Sequence, residues 1–340
     1  MGVDLAPIVP RRVVKLEHLR GVRLAVDANN ALYQFLALIR TADGRPLADS
    51  KGRVTSHLLG LSMRATRLIA DYGMRLVFVF DGPPHPLKRR ELERRREQRE
   101  RAMREWLEAL RAGDYAKAFS KAVASGVLTR EMVEEAKRLL DCLGIPWVQA
   151  PSDAEAQGAY MASRGDVDAV ATNDYDALLY GAERVVRYLT ISGFDYLPSK
   201  GVLKPLVPEV IELSEVLSKL GITREQLVDV AILVGTDFNE GVRGIGPKRA
   251  LKLIKLYGSL DRLPRRLREG LGNYEEVRRI FLEPRVTDAY ELEMRPVDEE
   301  GLYKLLCDEH DFSEERVALL VERMRRVRRE LRQRSLAEWL

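Results

Sequence analysis

Residues 22–27, Val-Arg-Leu-Ala-Val-Asp, decide the fold. A short apolar run that ends on Asp27 and passes almost at once into a helical pattern over 31–40 reads as a buried strand feeding a helix. Residues 75–81, Arg-Leu-Val-Phe-Val-Phe-Asp, end the same way, on Asp81 and a Gly82-Pro83-Pro84 turn. A third run, Val-Asp-Ala-Val-Ala-Thr-Asn-Asp at 167–174, leads into Asp176. Helical patterns over 54–71 and 130–143 separate these runs and are long enough for right-handed crossovers. The expectation is an α/β fold with a mostly parallel central sheet and helices on both faces. Ligands in such sheets collect beyond the carboxyl ends of the strands, so the three aspartate-bearing turns are expected to converge.

Outward from this frame, residues 88–111 carry many charges of both signs and lack the broad apolar stripe of a core helix. They read either as a solvated, ion-pair-laced helix or as a lid whose arginines face an anionic strand. After Pro205 the pattern is strongly helical, at about 213–219, 224–235, 247–257, 273–281 and 313–330. No linker interrupts it, so the second half is expected to be built against the first.

The chain has 340 residues, with 56 basic and 52 acidic side chains and a formal net charge of +4. Arginine outnumbers lysine 43 to 13, which suits phosphate partners and equally suits adaptation to heat. No secretion signal and no run able to span a bilayer is evident, so cytosolic residence without membrane attachment is expected. Cys142 and Cys307 stand in unrelated segments, and His18, His57, His85 and His310 share no ligand spacing; zinc and disulfide frameworks are excluded. The absence of a phosphate-loop sequence argues against an ATPase.

The carboxylates singled out are Asp27, Asp81, Asp153, Glu155, Asp174, Asp176 and Asp237. Any one of them, after a strand, could be a turn former or helix cap. As a set they would crowd one sheet edge, which is unfavourable without a compensating cation. Ser152 and Glu155 could form a capping box, which leaves Asp153 to be explained. Asp174 and Asp176, if locally extended, would point to one side. Oxygen-only ligands favour Mg2+, with Mn2+ as a substitute, over zinc. Two such cations about 4 Å apart could activate water and stabilise both oxygens of an in-line displacement at phosphorus.

Residues 235–249 read Gly-Thr-Asp-Phe-Asn-Glu-Gly-Val-Arg-Gly-Ile-Gly-Pro-Lys-Arg. Gly244 and Gly246 allow a tight turn, Pro247 suits a helix start, and Lys248 and Arg249 add charge; the segment is either a connector or a clamp for DNA phosphate. A clamp of that kind grips backbone without reading base edges.

Taken together, the strings VDANNALYQF, LVFVFDGPP, IPWVQAPSDAEAQGAYMA, NDYDALLYG, ILVGTDFNEGVRGIGPKRA and FLEPRVTD resemble the flap structure-specific endonucleases of archaea and eukaryotes, within the 5′-nuclease superfamily. The resemblance runs the length of the chain. It implies one nuclease core with an N-terminal region at 1–100, a helical arch at about 82–125, an internal region at 120–260 with a helix-hairpin-helix element at 235–257, a helical part at 261–330 and a tail at 331–340. By position, Asp27, Asp81, Asp153 and Glu155 resemble ligands of a first metal, and Asp174, Asp176 and Asp237 those of a second. Lys88 and Arg95 match the basic pair that steers the scissile phosphate. Tyr33 matches an aromatic on which a base stacks, or else is a buried helix aromatic. Gly2 resembles the small residue packed against the site and DNA. Gly241, Val242 and Ile245 resemble a potassium site joining the hairpin to duplex phosphate. Arg40, Thr55 and Arg64 resemble parts of a wedge and a pocket for a 3′ flap.

Two departures stand out: Asp153 replaces a more usual glutamate or glycine, and Asn173 a more usual glutamate or glutamine. At the far end, Gln333, Leu336, Trp339 and Leu340 have the spacing of a sliding-clamp docking peptide, or of a terminal turn packed on its own domain. The resemblance implies a monomeric flap endonuclease with 5′–3′ exonuclease activity. It would act in Okazaki-fragment processing and base-excision repair, near the nucleoid in the cytoplasm of an archaeal cell. The competing readings are a 5′ exonuclease or a nuclease for bubbles and junctions, and a non-catalytic module for branched DNA.

Overall fold

The computed structural model describes residues 2–41, 44–114, 121, 125–191, 193–197 and 202–337, without the side chains of 110, 193–197, 202–205 and 331–337. In it the runs that end in Asp27 and Asp81 lie side by side. The described strands are β1 (Arg12–Val13), β2 (Arg23–Asp27), β3 (Arg75–Phe80), β4 (Trp147–Gln149), β5 (Ala169–Ala171), β6 (Arg184–Arg187), β7 (Gly193–Leu197), β8 (Val202–Leu206) and β9 (Glu209–Glu212). Seven form one sheet in the order β1-β9-β6-β5-β2-β3-β4, while β7 and β8 form a separate ribbon. The β2–β3, β2–β5, β3–β4 and β5–β6 pairs are parallel; β6–β9 and β1–β9 are antiparallel. The chain moves outward through β3 and β4 and returns to β5 on the other side of β2. The crevice beyond β2 and β5 is therefore the switch point of the sheet, where ligands are expected.

The helices are α1 (Ala28–Leu38), α2 (Ser56–Tyr72), α3 (Arg89–Arg111), α4 (Arg130–Leu143), α5 (Ala154–Ser163), α6 (Asp176–Leu179), α7 (Leu213–Leu220), α8 (Arg224–Val234), α9 (Pro247–Tyr257), α10 (Arg265–Arg268), α11 (Tyr274–Leu282), α12 (Glu299–Tyr303) and α13 (Glu314–Ala337). Leu24, Val26, Leu76 and Phe78 pack on one face with residues of α1, α2, α4 and α13. Ala25, Val77 and Val79 point to the other face, with Ala154 and Met161 of α5. Burial on both faces is why these strands read as continuous apolar runs. Each buried Val or Leu contributes roughly 1.5–3 kcal/mol, and a charge at Val26 would leave an unpaired ion between the layers.

Helix bounds agree closely with the sequence at α4 and α9. α1 begins earlier than expected, because the Asp27 carboxylate accepts from the Asn30 amide at 2.9 Å and caps it. It also ends at Leu38, which leaves Arg40 outside in an isolated bridge with Pro46. The segment after Pro205 is not helical at once: β9, with its β-branched Val210 and Ile211, pairs with β6 before α7 begins. On α3 the pairs Arg89–Glu93, Arg96–Glu100 and Arg101–Glu105 lace the exposed side. The solvated reading of this helix thus holds for one face. Another face turns toward the sheet edge.

Candidate active site

Parallel register sets the first two carboxylates. Asp27 is opposite Val79, so Asp81 lies two residues farther along the neighbouring strand and on the same side of the pleat. The β3 exit then crosses the loop before α5. The Gly82 amide donates to Ser152 O at 2.6 Å, and a Cβ on Gly82 would meet Ala150 O at 2.4 Å. Only glycine permits this approach, which brings Asp81 to the start of α5. There the Ala154 amide donates to Asp81 Oδ1 at 2.8 Å.

This arrangement corrects the capping expectation. Asp153, not Ser152, occupies the N-cap of α5, and its side chain caps nothing. The Ala154 amide is taken by Asp81, and both oxygens of Asp153 turn to other partners. Lys88 Nζ donates to Asp153 Oδ1 at 2.6 Å, and the Tyr180 hydroxyl donates to Oδ2 at 2.5 Å. Asp174 and Asp176 also differ from expectation, since their segment is bent. The Asp174 amide donates to Thr172 Oγ1, and Asp176 opens α6. Both still face the cluster: Asn30 Nδ2 donates to Asp174 Oδ2 at 3.4 Å, and the Val3 amide to Asp176 Oδ1 at 2.9 Å. A Cβ on Gly2 would lie 2.1 Å from Asp176 Oδ1, so the N-terminal segment abuts the site as expected.

Asp237 comes from the loop after α8 and joins through Arg95, whose guanidinium donates to both of its oxygens at 2.6 and 2.8 Å. Arg95 also holds Glu91 one turn back on α3. Lys88 and Arg95 thus meet the acidic cluster from the helix that the sequence left open between two readings. Tyr33 is half-buried, and Arg99 of α3 covers its ring at 4.8 Å. Burial and then repulsion from Asp81 push the Asp27 carboxyl up to about 8, and burial followed by Asp237 pushes Asp176 up to about 7. Glu155 is raised well above its usual range by burial and then by Asp27, Asp174 and Asp81. Asp81 moves the same way through the atoms crowding it and then through Asp153, although its side chain still meets solvent.

The donor chemistry fits divalent metal: an all-oxygen set, negative charge in excess, and a Glu155 carboxylate to which no described residue donates. No three of the described His, Cys, Asp or Glu side chains already close on a common point. In this arrangement Lys88 and Arg95 occupy part of the space as counter-ions.

The remaining expected residues lie apart. Gly241 and Gly244 adopt the left-handed conformation, and Gly246 precedes Pro247 at the start of α9. Lys248 and Arg249 are exposed there, beside Arg243, Lys252 and Lys255. The Ile245 amide donates to Val242 O at 3.0 Å, which fixes the turn. Arg40 donates to Ala37 O and Gly44 O, and Arg64 to Leu189 O at 2.6 and 3.0 Å. Thr55 is buried beneath the start of α2. Arg40 and Arg64 thus spend donors on backbone carbonyls of the fold, and the 40–55 segment folds back on itself through the Arg40–Pro46 and Ala48–Val54 bridges. Gln333 and Leu336 fall on α13, described as backbone only, and Trp339 and Leu340 lie outside the described residues, as do 115–120 and 122–124 of the expected arch.

Sequence reasoning missed Asn30, Thr172, Tyr180 and Gly82. The sequence marks Gly82 only as a turn former and gives no signal for the other three.

A mostly parallel sheet whose switch point gathers carboxylates beside Lys and Arg points to an α/β phosphodiesterase. Family models describe its two parts: an XPG N-terminal domain over residues 1–102 and an XPG I-region over 144–237. Flap endonuclease 1 of Pyrococcus horikoshii is 48% identical over 340 residues, covering 100% of this chain and 98% of the relative. That of Ignicoccus hospitalis is 50% identical over 337 residues, covering 97% and 95%. The solved flap endonuclease-1 of Methanococcus jannaschii superposes with a TM-score of 0.76 at 41% identity, over 97% of this chain and all of that one. The catalytic core of Rad2 with DNA substrate shares the fold at a TM-score of 0.68 and 24% identity, over 94% of this chain and 97% of that one. The chain belongs to the flap endonuclease family, and it is a structure-specific nuclease that hydrolyses DNA phosphodiester bonds.

Proposed function

We propose that the chain incises DNA at the base of a 5′ flap, with Asp27, Asp81, Asp153, Glu155, Asp174, Asp176 and Asp237 forming the environment of two divalent cations, Mg2+ or Mn2+. The observation that carries this reading is the meeting of those carboxylates with Lys88 and Arg95 at the switch point of the sheet. When bound, such cations would lower the pKa of water and neutralise charge at phosphorus. Lys88 and Arg95 already sit as counter-ions to Asp153 and Asp237. Cation binding would relieve Arg95 of that role, and the Lys88 ammonium, still carried by Asp153, would face the scissile phosphate beside it. Gly2 leaves room beside Asp176 for a strand to approach. Tyr33, one turn inside α1, offers a face on which the base next to the cut can stack, with Arg99 displaced from it.

The hairpin would hold the duplex at a distance from the cut. Exposed amides at the start of α9, with Lys248 and Arg249, suit phosphate oxygens without base reading. Carbonyls of Gly241, Val242 and Ile245 would hold K+ once a phosphate completes its shell. Arg40, Thr55 and Arg64 would act at the 3′ flap only after rearranging. By family, the activity extends to 5′–3′ exonuclease cleavage and serves Okazaki-fragment processing and base-excision repair. The protein would act as a monomer in the archaeal cytoplasm, docked on a sliding clamp through 331–340.

The test compares a 5′-labelled double-flap DNA, a blunt duplex and a single strand of one sequence, with Mg2+ and with EDTA. Metal-dependent incision concentrated at the flap junction is expected. Binding without incision in both Mg2+ and Mn2+ would overturn the reading.

A further inference from the structure

Asp153 is held from two sides and shields no helix end. Lys88 and Tyr180 are the described partners of its carboxylate, one on each oxygen. Tyr180 is itself fixed. Its buried ring lies 5.0 Å from Phe281, and Phe281 meets Phe238 edge-on at 5.3 Å. The Lys88 ammonium lies 4.9 Å over the Phe238 ring. Tyr180, Asp153, Lys88, Phe238 and Phe281 therefore close a loop in which the carboxylate and the ammonium move only if the aromatic core moves.

The phenol is the polar joint of that loop. Its hydroxyl is directed at the one carboxylate oxygen that Lys88 does not use. An aspartate with one free oxygen can rotate and take a flexible four-carbon ammonium with it. Misplacing a reacting group by about 1 Å can cost on the order of a hundred-fold in rate.

We propose that Tyr180 is a positioning residue for the nuclease reaction: its hydroxyl pins Asp153, and Asp153 aims the Lys88 ammonium at the phosphate instead of serving as a direct metal ligand. The inference rests on the reading that Lys88 faces the scissile phosphate. Its chemistry is specific to a short side chain at 153, which needs an anchor beneath it to reach Lys88.

Tyr180→Phe keeps the ring and removes only the hydroxyl. Single-turnover incision of a double flap at saturating protein is expected to fall about ten-fold, the loss of one charge-assisted hydrogen bond. Flap affinity in EDTA should be unchanged. A metal-free readout separates positioning from cleavage: acetylation of Lys88 by acetic anhydride in EDTA, followed by peptide mass mapping. It should become several-fold faster in Tyr180→Phe, while the exposed Lys252 keeps its rate. Asp153→Glu added to Tyr180→Phe should recover most of the lost incision, because the extra methylene fills the space of the hydroxyl; in the presence of Tyr180 the same glutamate should slow the enzyme. Additive effects of the two substitutions, or an unaltered Lys88 acetylation rate, would overturn the proposal. If the unaltered chain failed to cut flaps, the functional reading would fall, and the acetylation rates would still decide whether Tyr180 holds Lys88.

Discussion

At the carboxyl ends of β2, β3 and β5, Asp27, Asp81, Glu155 and Asp176 crowd together, and close packing with repulsion from neighbouring carboxylates raises the proton affinity of each. In the hairpin at 235–249 the turn satisfies itself: Thr236 and Asn239 bridge each other, Val242 N reaches Leu233 O, and the basic groups stand in solvent. One region is strained by charge that the proposed cations would neutralise. The other is complete before any ligand arrives. The contrast supports the proposal of chemistry at the first and sequence-independent grip at the second.

Breaking the first region should abolish rate and spare binding. Asp174→Ala is expected to lower single-turnover incision by about a thousand-fold or more, since metal stabilisation of the transition state is worth several kcal/mol. A gel-shift assay should show the flap still bound; parallel loss of binding would break the comparison. Lys88→Met should cost about a hundred-fold, in the range for loss of one preorganised donor. Breaking the second region should do the converse. Lys248→Ala with Arg249→Ala should weaken flap binding and reduce the salt slope of log Kd by about 2, with little change in rate at saturation. The smallest effect tests a region outside both. Arg64→Ala, which removes the donor to Leu189 O, should lower thermal stability by about 1–2 kcal/mol and leave affinity for a 5′ flap without a 3′ flap unaltered. A larger loss of affinity than of stability would return Arg64 to the DNA interface.

The sheet was legible because β2 and β3 are buried on both faces, so their apolar runs are unbroken and their terminal aspartates mark one edge. The antiparallel return through β9 was hidden, because four residues between Pro208 and a helix carry little periodicity. Site residues on strand ends could be found by type alone. The partners that aim them could not: Gly82, Thr172 and Tyr180 are ordinary residues until register brings Asp81 against α5 and Tyr180 beneath Asp153. The fate of Arg40 and Arg64 was likewise unreadable, since a basic side chain spent on a carbonyl has the same sequence as one awaiting phosphate.

The central claim is that the acidic end is completed by divalent metal, and thermal unfolding across pH tests it most directly. A carboxyl whose folded pKa is raised binds more protons folded than unfolded between its ordinary value, near 4, and its raised one. Through Asp27 and Asp176 the metal-free fold should therefore lose stability as pH rises from about 5 to about 8. Mg2+ should oppose that loss, raising Tm more at pH 8 than at pH 5, with the difference abolished in Asp27→Asn/Asp176→Asn. An Mg2+ increment that is absent, or equal at both pH values, would contradict the account.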